Sequence, residues 1–477
     1  MVAALSGRSG KTVITLGLIR LLTRRGLVVQ PFKKGLDFID PGWHRAAGGR
    51  VSRNLDSFLM TPEQILSIFS TASEGSDISI IEGAMGLFDG LDAAGSSSSA
   101  QIAKITQTPV ILVLNPARMT RTAAALVLGC QQFDPEVHIA GVILNKVRGA
   151  RHEKLIRECI ESTCGIPVLG AIPTDERLIV PDRHLGLLSS EEAPAREQLL
   201  NNIADAIEEY VDIESFITME PDRCENTLIR HSGLVPESNN MPFKIPGQAR
   251  NDVFTQPDAP LSHVYGPLSG SKIAVIRDQA FCFYYEENLE ALRQQGAELV
   301  FVNSLEDQAL PKDIQALYIG GGFPEVFAAE LEANKSFRAD LKSRIEAGLR
   351  VHAEGGGLMY LGRTLHYQDK SYEMVGALQL DTAMQSERQA HGYAVIESTE
   401  PLPNLPVGTQ FKGHAYHHFK IINASPDLPT AFKVLRGQGI DGKRDGFYYK
   451  GVLATTMHKN ALATPSLLST LTLSHPT

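Results

Sequence analysis

No feature constrains this chain more than Ser6-Gly7-Arg8-Ser9-Gly10-Lys11-Thr12, set between a short apolar run and the amphipathic segment Lys11 to Arg24. Glycines let such a loop curl until its backbone N–H groups converge on phosphate oxygens, and the helix that follows adds its dipole. Lysine supplies a point charge and the threonine hydroxyl can hold Mg²⁺. The order strand, loop, helix therefore predicts an ATP site formed by Ser6, Gly7, Ser9, Gly10, Lys11 and Thr12, with Thr12 also a metal ligand. A fully standard loop has glycine where Leu5 stands, but the Gly-Lys-Thr core is intact. A glycine-rich turn without a ligand is the competing reading, and the flanking strand and helix weigh against it. The first strand begins at residue 1 or 2 and reads as clipped, so a start further upstream is expected.

A loop of this kind needs a parallel sheet behind it, and the sequence supplies one. Apolar runs at Val2 to Leu5, Val28 to Phe32, Ile78 to Ile81, Val110 to Leu114, Ile139 to Leu144 and Val168 to Ala171 read as buried strands. Lys11 to Arg24 and Thr120 to Gln132 carry helical periodicity between them, which predicts a doubly wound α/β domain. Ligands of such sheets collect at the carboxyl ends of the strands. Two acidic clusters stand there: Lys33-Lys34-Gly35-Leu36-Asp37-Phe38-Ile39-Asp40-Pro41, and Glu82-Gly83-Ala84-Met85-Gly86-Leu87-Phe88-Asp89-Gly90. Carboxylates beside a triphosphate need Mg²⁺ between them, so Asp37 and Glu82 are candidate metal ligands. Asp40, before Pro41, serves equally well as a helix cap, and Asp89 as a turn residue. Lys33 and Lys34 are either a solvated pair or a reach toward phosphate or a substrate carboxylate.

The chain has 477 residues, 43% hydrophobic and 21% charged, enough for two or three cored domains. A net charge of −9 gives no general reason to bind nucleic acid or anionic lipid, which leaves a small-molecule substrate. No apolar run reaches the length of a membrane span, and a cytoplasmic location is expected. Cys130, Cys159, Cys164, Cys224 and Cys282 are scattered, without the spacing of a zinc site or a disulfide framework. Composition divides the chain into residues 1–200, a phosphate-loop domain; 201–270, a linker with a disordered insertion at 230–252; 271–460, a second α/β domain; and 461–477, a tail. Within the second domain, strands are expected from Lys272, at Glu298 to Val302 and at Ala316 to Ile319, with a helix through Asn288 to Gln295. Antiparallel strands are expected to join its sheet between Tyr372 and Leu453.

Several segments then carry a family likeness. PFKKGLDFIDPGWH, SRNLDSFLM and IIEGAMGLFDG resemble the N-terminal signatures of cobyrinic acid a,c-diamide synthases, which amidate carboxylates on a corrin ring. The run Asp278 to Tyr285 followed by Asn288-Leu289, GGGFPE at Gly320 to Glu325, and AEGGGLMYL at Ala353 to Leu361 resemble that family's glutamine amidotransferase domain. The resemblance implies ATP, Mg²⁺, a tetrapyrrole carboxylate and glutamine or ammonia, and it leaves a homodimer open. It implies that Asp37, Asp40, Glu82 and Asp89 organise Mg²⁺ and substrate, that Arg53, Asn54 and Asp56 lie near the tetrapyrrole, and that Asn145 lies near the nucleotide base. For the second group a helix-entry loop is an equal reading.

The likeness breaks at Leu36, where the family usually has proline, at Ala415, where it has glutamate, and above all at Gly355. Gly355 stands at the position of the family's cysteine nucleophile, and a hydrogen side chain forms no thioester. His417 matches the histidine that would activate that thiol. Gly320 to Gly322 would form the oxyanion loop, and Cys282 reads as a structural thiol. The lead reading is an ATP-dependent tetrapyrrole amide synthase with an impaired glutaminase half. Lys33-Lys34-Gly35 and the segment Arg121 to Val137 resemble a branch that amidates sirohaem. A nucleotide-dependent binding protein is the alternative outside enzymology.

Overall fold

A computed structural model of the chain describes residues 1–180, 182–183, 186–188, 190, 193, 195–218, 268, 270–402, 405–463 and 471. Strand β1 (Val2–Ala4) leads through the glycine loop into helix α1 (Lys11–Arg24). There follow β2 (Val29–Lys34), α2 (Ile39–Gly48), β3 (Arg53–Leu55), α3 (Pro62–Ser73), β4 (Ile78–Glu82), α4 (Ser99–Thr106), β5 (Val110–Leu114), α5 (Arg121–Phe133), β6 (Ile139–Val147), α6 (Ala150–Cys164) and β7 (Val168–Pro173). The strands lie in the order β3-β2-β4-β1-β5-β6-β7, all parallel. The sheet is doubly wound. Phe32, Ile81, Leu112 and Val142 pack with residues of α3 to α6 on one face. Val29, Ile80, Val113 and Ile143 pack with α1 and α2 on the other. Burial on both faces is why these strands read as continuous apolar runs.

Helix α7 (Arg196–Tyr210) corrects one expected boundary. Its Leu200, Ile203, Ala204 and Ile207 are buried in the same core as Ile14 and Leu18 of α1, and Ile213 joins them. Residues 201–218 thus complete the first domain instead of opening the linker. The insertion expected at 230–252 lies outside the described residues. At the other end, Ala461 and Ala463 are buried and the Leu462 carbonyl accepts from Gln64 Nε2, so the start of the expected tail is packed against both domains.

In the second domain five strands, Glu298–Val302, Lys272–Ile276, Ala316–Ile319, Arg350–Glu354 and Val452–Thr455, are neighbours in a parallel arrangement. Arg444–Tyr449, Thr430–Arg436, Ala390–Ser398, Gln410–His417 and His458–Lys459 extend this sheet antiparallel, as expected for the stretch up to Leu453. Among the described residues no helix is long and apolar enough to cross a membrane.

Candidate active site

The glycine loop takes its shape from two left-handed residues, Arg8 at φ 59° and Gly10 at φ 95°. A Cβ on Gly10 would meet Asn145 Nδ2 at 2.2 Å, so only glycine fits. Asn145, at the end of β6, donates from that nitrogen to the Ser9 carbonyl at 2.9 Å and braces the loop itself. Lys11 is curled back over the loop, donating to the carbonyls of Ser6 (3.0 Å) and Met85 (2.7 Å). Burial, with Lys33 close by, pushes Lys11 down to about 8 against the pull of Glu82, Asp40 and Asp89. Asp89 accepts from the Gly86 amide at 2.9 Å and shapes the turn that presents Met85.

Behind the loop lies a closed polar network at the ends of β2 and β4. Thr12 Oγ1 donates to Glu82 Oε1 (2.6 Å), Lys33 Nζ donates to the same oxygen (2.8 Å) and to Asp40 Oδ2 (2.5 Å), and His44 Nε2 meets Glu82 Oε2 at 2.7 Å. Glu82, Lys33 and His44 are all buried, which is tolerable only because each is paired. Burial would raise Glu82, but Lys33 and His44 hold it well below the usual carboxylate range. The helix cap falls to Asp37, whose Oδ1 accepts from the amides of Ile39 and Asp40, leaving the Asp40 carboxylate for Lys33. Burial and the neighbouring Asp40 push Asp37 up to about 7.

These groups fit a magnesium ion. The Thr12 hydroxyl is already in a carboxylate's reach, and a cation would relieve the repulsion between the half-buried neighbours Asp37 and Asp40. Among the described residues no cluster of three or more His, Cys, Asp or Glu could hold a metal alone. Mg²⁺ characteristically takes one or two protein ligands and completes its shell with phosphate oxygens and water.

The second domain carries an elbow. Gly355, at φ 51° and ψ −108°, joins the strand Arg350–Glu354 to the helix Gly356–Leu361, and its amide donates to the Thr455 carbonyl at 2.9 Å. The atoms nearest a Cβ built at Gly355 are His458 Nε2 at 2.8 Å and Cε1 at 2.9 Å, followed by Gly321 Cα. His417 is not the residue that faces this position. Its Nδ1 is bound to the Phe419 carbonyl at 3.0 Å, its ring stacks on Phe419, and burial pushes it down to about 4. His458 reaches the elbow by topology: Val452–Thr455 is the parallel neighbour of Arg350–Glu354, so the chain leaving its carboxyl end passes beside Gly355. The apolar run Val452 to Ala454 marks a strand in the sequence, but its place beside Arg350–Glu354 is made only by the fold. Cys282 instead lines a cleft of about 920 Å³ between the domains, with Tyr284, Arg277 and Phe38.

One aromatic ring ties the two regions together. Phe38, between Asp37 and α2, lies 5.2 Å from Phe283, 4.7 Å from Tyr285 and 5.2 Å from His458. Arg53 forms a forked ion pair with Glu290 and lies 3.7 Å from Glu287, and Tyr393 donates to Asp56 at 2.5 Å. Arg53 and Asp56 are thus domain contacts, while Asn54 donates to the carbonyls of Gly35 and Asp37. Beside them Lys412 and Arg436 lie over the half-buried ring of Phe58, at 5.5 and 5.2 Å.

A phosphate loop on a parallel sheet, docked against a strand–elbow–helix domain with a glycine loop beside it, defines a nucleotide-binding amidotransferase architecture. Residues 1–187 match the CobQ/CobB/MinD/ParA nucleotide binding domain family, and residues 272–465 match the CobB/CobQ-like glutamine amidotransferase domain family. The chain is 42% identical over 469 residues to a cobyrinate a,c-diamide synthase of Archaeoglobus fulgidus, covering 98% of this chain and 95% of the relative. It is 38% identical to those of Magnetococcus marinus and Methanosarcina acetivorans, over 97% and 99% of this chain and 94% of each relative. The chain belongs to the cobyrinate a,c-diamide synthase family.

Proposed function

We propose that this chain converts peripheral carboxylates of cobyrinic acid to amides at the expense of ATP, through an acyl phosphate, with free ammonia as the effective nitrogen source. The observation that carries the reading is the contrast between the sites: the phosphate site has its lysine and threonine and a closed network of Glu82 with Thr12, Lys33 and His44, while the imidazole of His458 abuts an elbow without a side chain.

The chemistry follows from a carboxylate being a poor electrophile. Its oxygen takes the γ-phosphoryl group, the ammonia lone pair then forms the C–N bond, and phosphate leaves with its oxygen as one proton is lost. Lys11 exchanges the Ser6 and Met85 carbonyls for phosphate oxygens and offsets the charge that develops on the transferred group. Thr12, with Asp37 and Glu82, would hold Mg²⁺, which supplies charge neutralisation between phosphates and carboxylates. Lys33 holds Glu82 ionised and ties Asp40 to it, opposing the upward push of burial on the Asp40 carboxyl. Lys412 and Arg436, flanking Phe58, suit the several carboxylates carried around the rim of a corrin ring. The named relatives support cobyrinic acid as the ring ahead of sirohaem.

The test is ATP turnover by the purified protein with Mg²⁺ and ammonium. The reading expects turnover to rise when cobyrinic acid is added, with a product about one mass unit lighter per amide formed, the difference between –OH and –NH₂. Tetrapyrrole binding without turnover would favour a nucleotide-dependent binding protein.

A further inference from the structure

Glu354 is among the most deeply buried carboxylates of the second domain, and nothing in the phosphate chemistry uses it. It ends the strand that leads into the elbow, one residue before Gly355. Its Oε1 lies 3.1 Å from His352 Nε2 and 3.4 Å from the Lys459 amide. Its Oε2 lies 3.4 Å from the Tyr318 hydroxyl and 3.4 Å from His458 Nδ1. A carboxylate at this depth is costly unless several donors hold it. Burial would raise its pKa, and His352 and His458 hold it well below the carboxylate range instead.

His458 is flanked on both sides. Nδ1 lies 3.4 Å from Glu354 Oε2 and makes no hydrogen bond among the described residues in this arrangement, so Glu354 is the carboxylate within its reach, and Nε2 turns to the point where a side chain on Gly355 would begin. When one ring nitrogen of an imidazole donates to a carboxylate, the other is left as the base. A nucleophile, a base and a group that orients the base are the general parts of covalent catalysis by a thiol or hydroxyl. Two of these three are assembled here. We propose that Glu354 is the positioning residue for His458, holding it with Nε2 bare toward position 355, so that the elbow is an acid–base pair complete but for its thiol. The other titratable groups acting on this point are His414 and His417, with Lys459 beside Glu354 and over the rings of Phe411 and Phe432. Of these neighbours Glu354 is the anion placed to receive an imidazolium when the thiol proton arrives at Nε2.

The inference rests on the glutaminase-type reading of this domain and is independent of which tetrapyrrole the first domain uses. Its test introduces the missing atom. In the full-length Gly355→Cys protein, the rate of alkylation by iodoacetamide is followed against pH, with Cys282→Ser in the background. The expected inflection lies at least one unit below the ordinary thiol value of about 8.5. Adding Glu354→Gln should move it up by roughly one unit, slowing alkylation at pH 6 about tenfold, and should lower kcat for glutamine hydrolysis with KM little changed. If Glu354→Gln leaves the protein unfolded by its melting curve, Glu354→Asp decides by the same readout, with an intermediate inflection expected. An inflection indifferent to Glu354 would overturn the proposal while leaving the glutaminase reading in place. An ordinary thiol titration in Gly355→Cys itself would overturn both, and would leave the amide synthase reading of the first domain untouched.

Discussion

The phosphate loop and the elbow are built alike and finished differently. Each sets a left-handed glycine between a parallel strand and a helix, Gly10 at φ 95° and Gly355 at φ 51°. In the first, the proposed chemistry falls to the residues after the glycine, Lys11 and Thr12, and the glycine itself need only be small enough to clear Asn145. In the second, the chemistry would sit on the turn residue itself. The bonds that hold the elbow, from the amide of Gly355 to Thr455 and of Gly357 to Gly320, are backbone bonds. The elbow's shape is therefore set by its backbone, and glycine holds φ 51° without the strain that any other residue would carry, so the reactive atom can be lost without loss of the fold.

That comparison breaks most visibly at Gly355. The Gly355→Cys protein should gain glutamine hydrolysis by about a thousandfold or more, since covalent machinery without its nucleophile loses several orders of magnitude. The introduced Cβ would stand 2.8 Å from His458 Nε2 at a φ of 51°, so the His458 ring must shift and the turn must carry the strain of a left-handed non-glycine residue. Release of glutamate, measured beside the unsubstituted chain, checks it, and parity between the two would mean that the elbow is more than one atom short. Next in size, Lys11→Ala should lower ATP turnover by about a hundredfold with the melting temperature nearly kept, as for loss of one preorganised charge contact. Turnover that survives in a folded Lys11→Ala protein would remove the phosphate loop from the mechanism. Arg436→Ala should raise KM for cobyrinic acid by about tenfold, the size of one charge contact, with KM for ATP unchanged. Equal shifts in both constants would assign Arg436 to the domain contact instead.

The smallest effect concerns the seam between the two regions. Burial pushes Glu287 up to about 7, with Arg53 only partly opposing. Because the folded value lies above the unfolded one, the folded state binds the proton more tightly. Stability is then greatest below about pH 4.5 and falls as pH rises toward 7. Glu287→Gln should therefore raise the unfolding free energy at pH 8 by on the order of 2 kcal/mol and change little at pH 5. Urea titrations at the two pH values read this directly, and an equal effect at both would show that Glu287 is ionised throughout.

Much of the fold was legible because buried parallel strands leave continuous apolar runs. Lys11–Arg24, Val110–Leu114, Glu298–Val302 and Ala316–Ile319 fall where the periodicity puts them. β2 runs on through Lys33 and Lys34, which pattern alone reads as surface; only the facing Asp40 and Glu82 make Lys33 a buried residue. β3 escaped because Arg53-Asn54-Leu55 is short and polar. The phosphate site was legible as a local motif. His458 was not, since its nearness to Gly355 is made by two adjacent strands far apart in the chain, and His417 was the nearer match in letters. Phe38 was passed over as one apolar residue among charged ones, although it touches both regions.

The central claim, an intact synthase fed by ammonia beside a glutaminase scaffold without its nucleophile, is tested most directly by isotope. The protein is given ATP, Mg²⁺ and cobyrinic acid with either ¹⁵N-ammonium or amide-¹⁵N glutamine, and the product amides are weighed. Label should enter from ammonium and be nearly absent from glutamine. Efficient entry from glutamine in the unsubstituted chain, or no amide from either source, would contradict it.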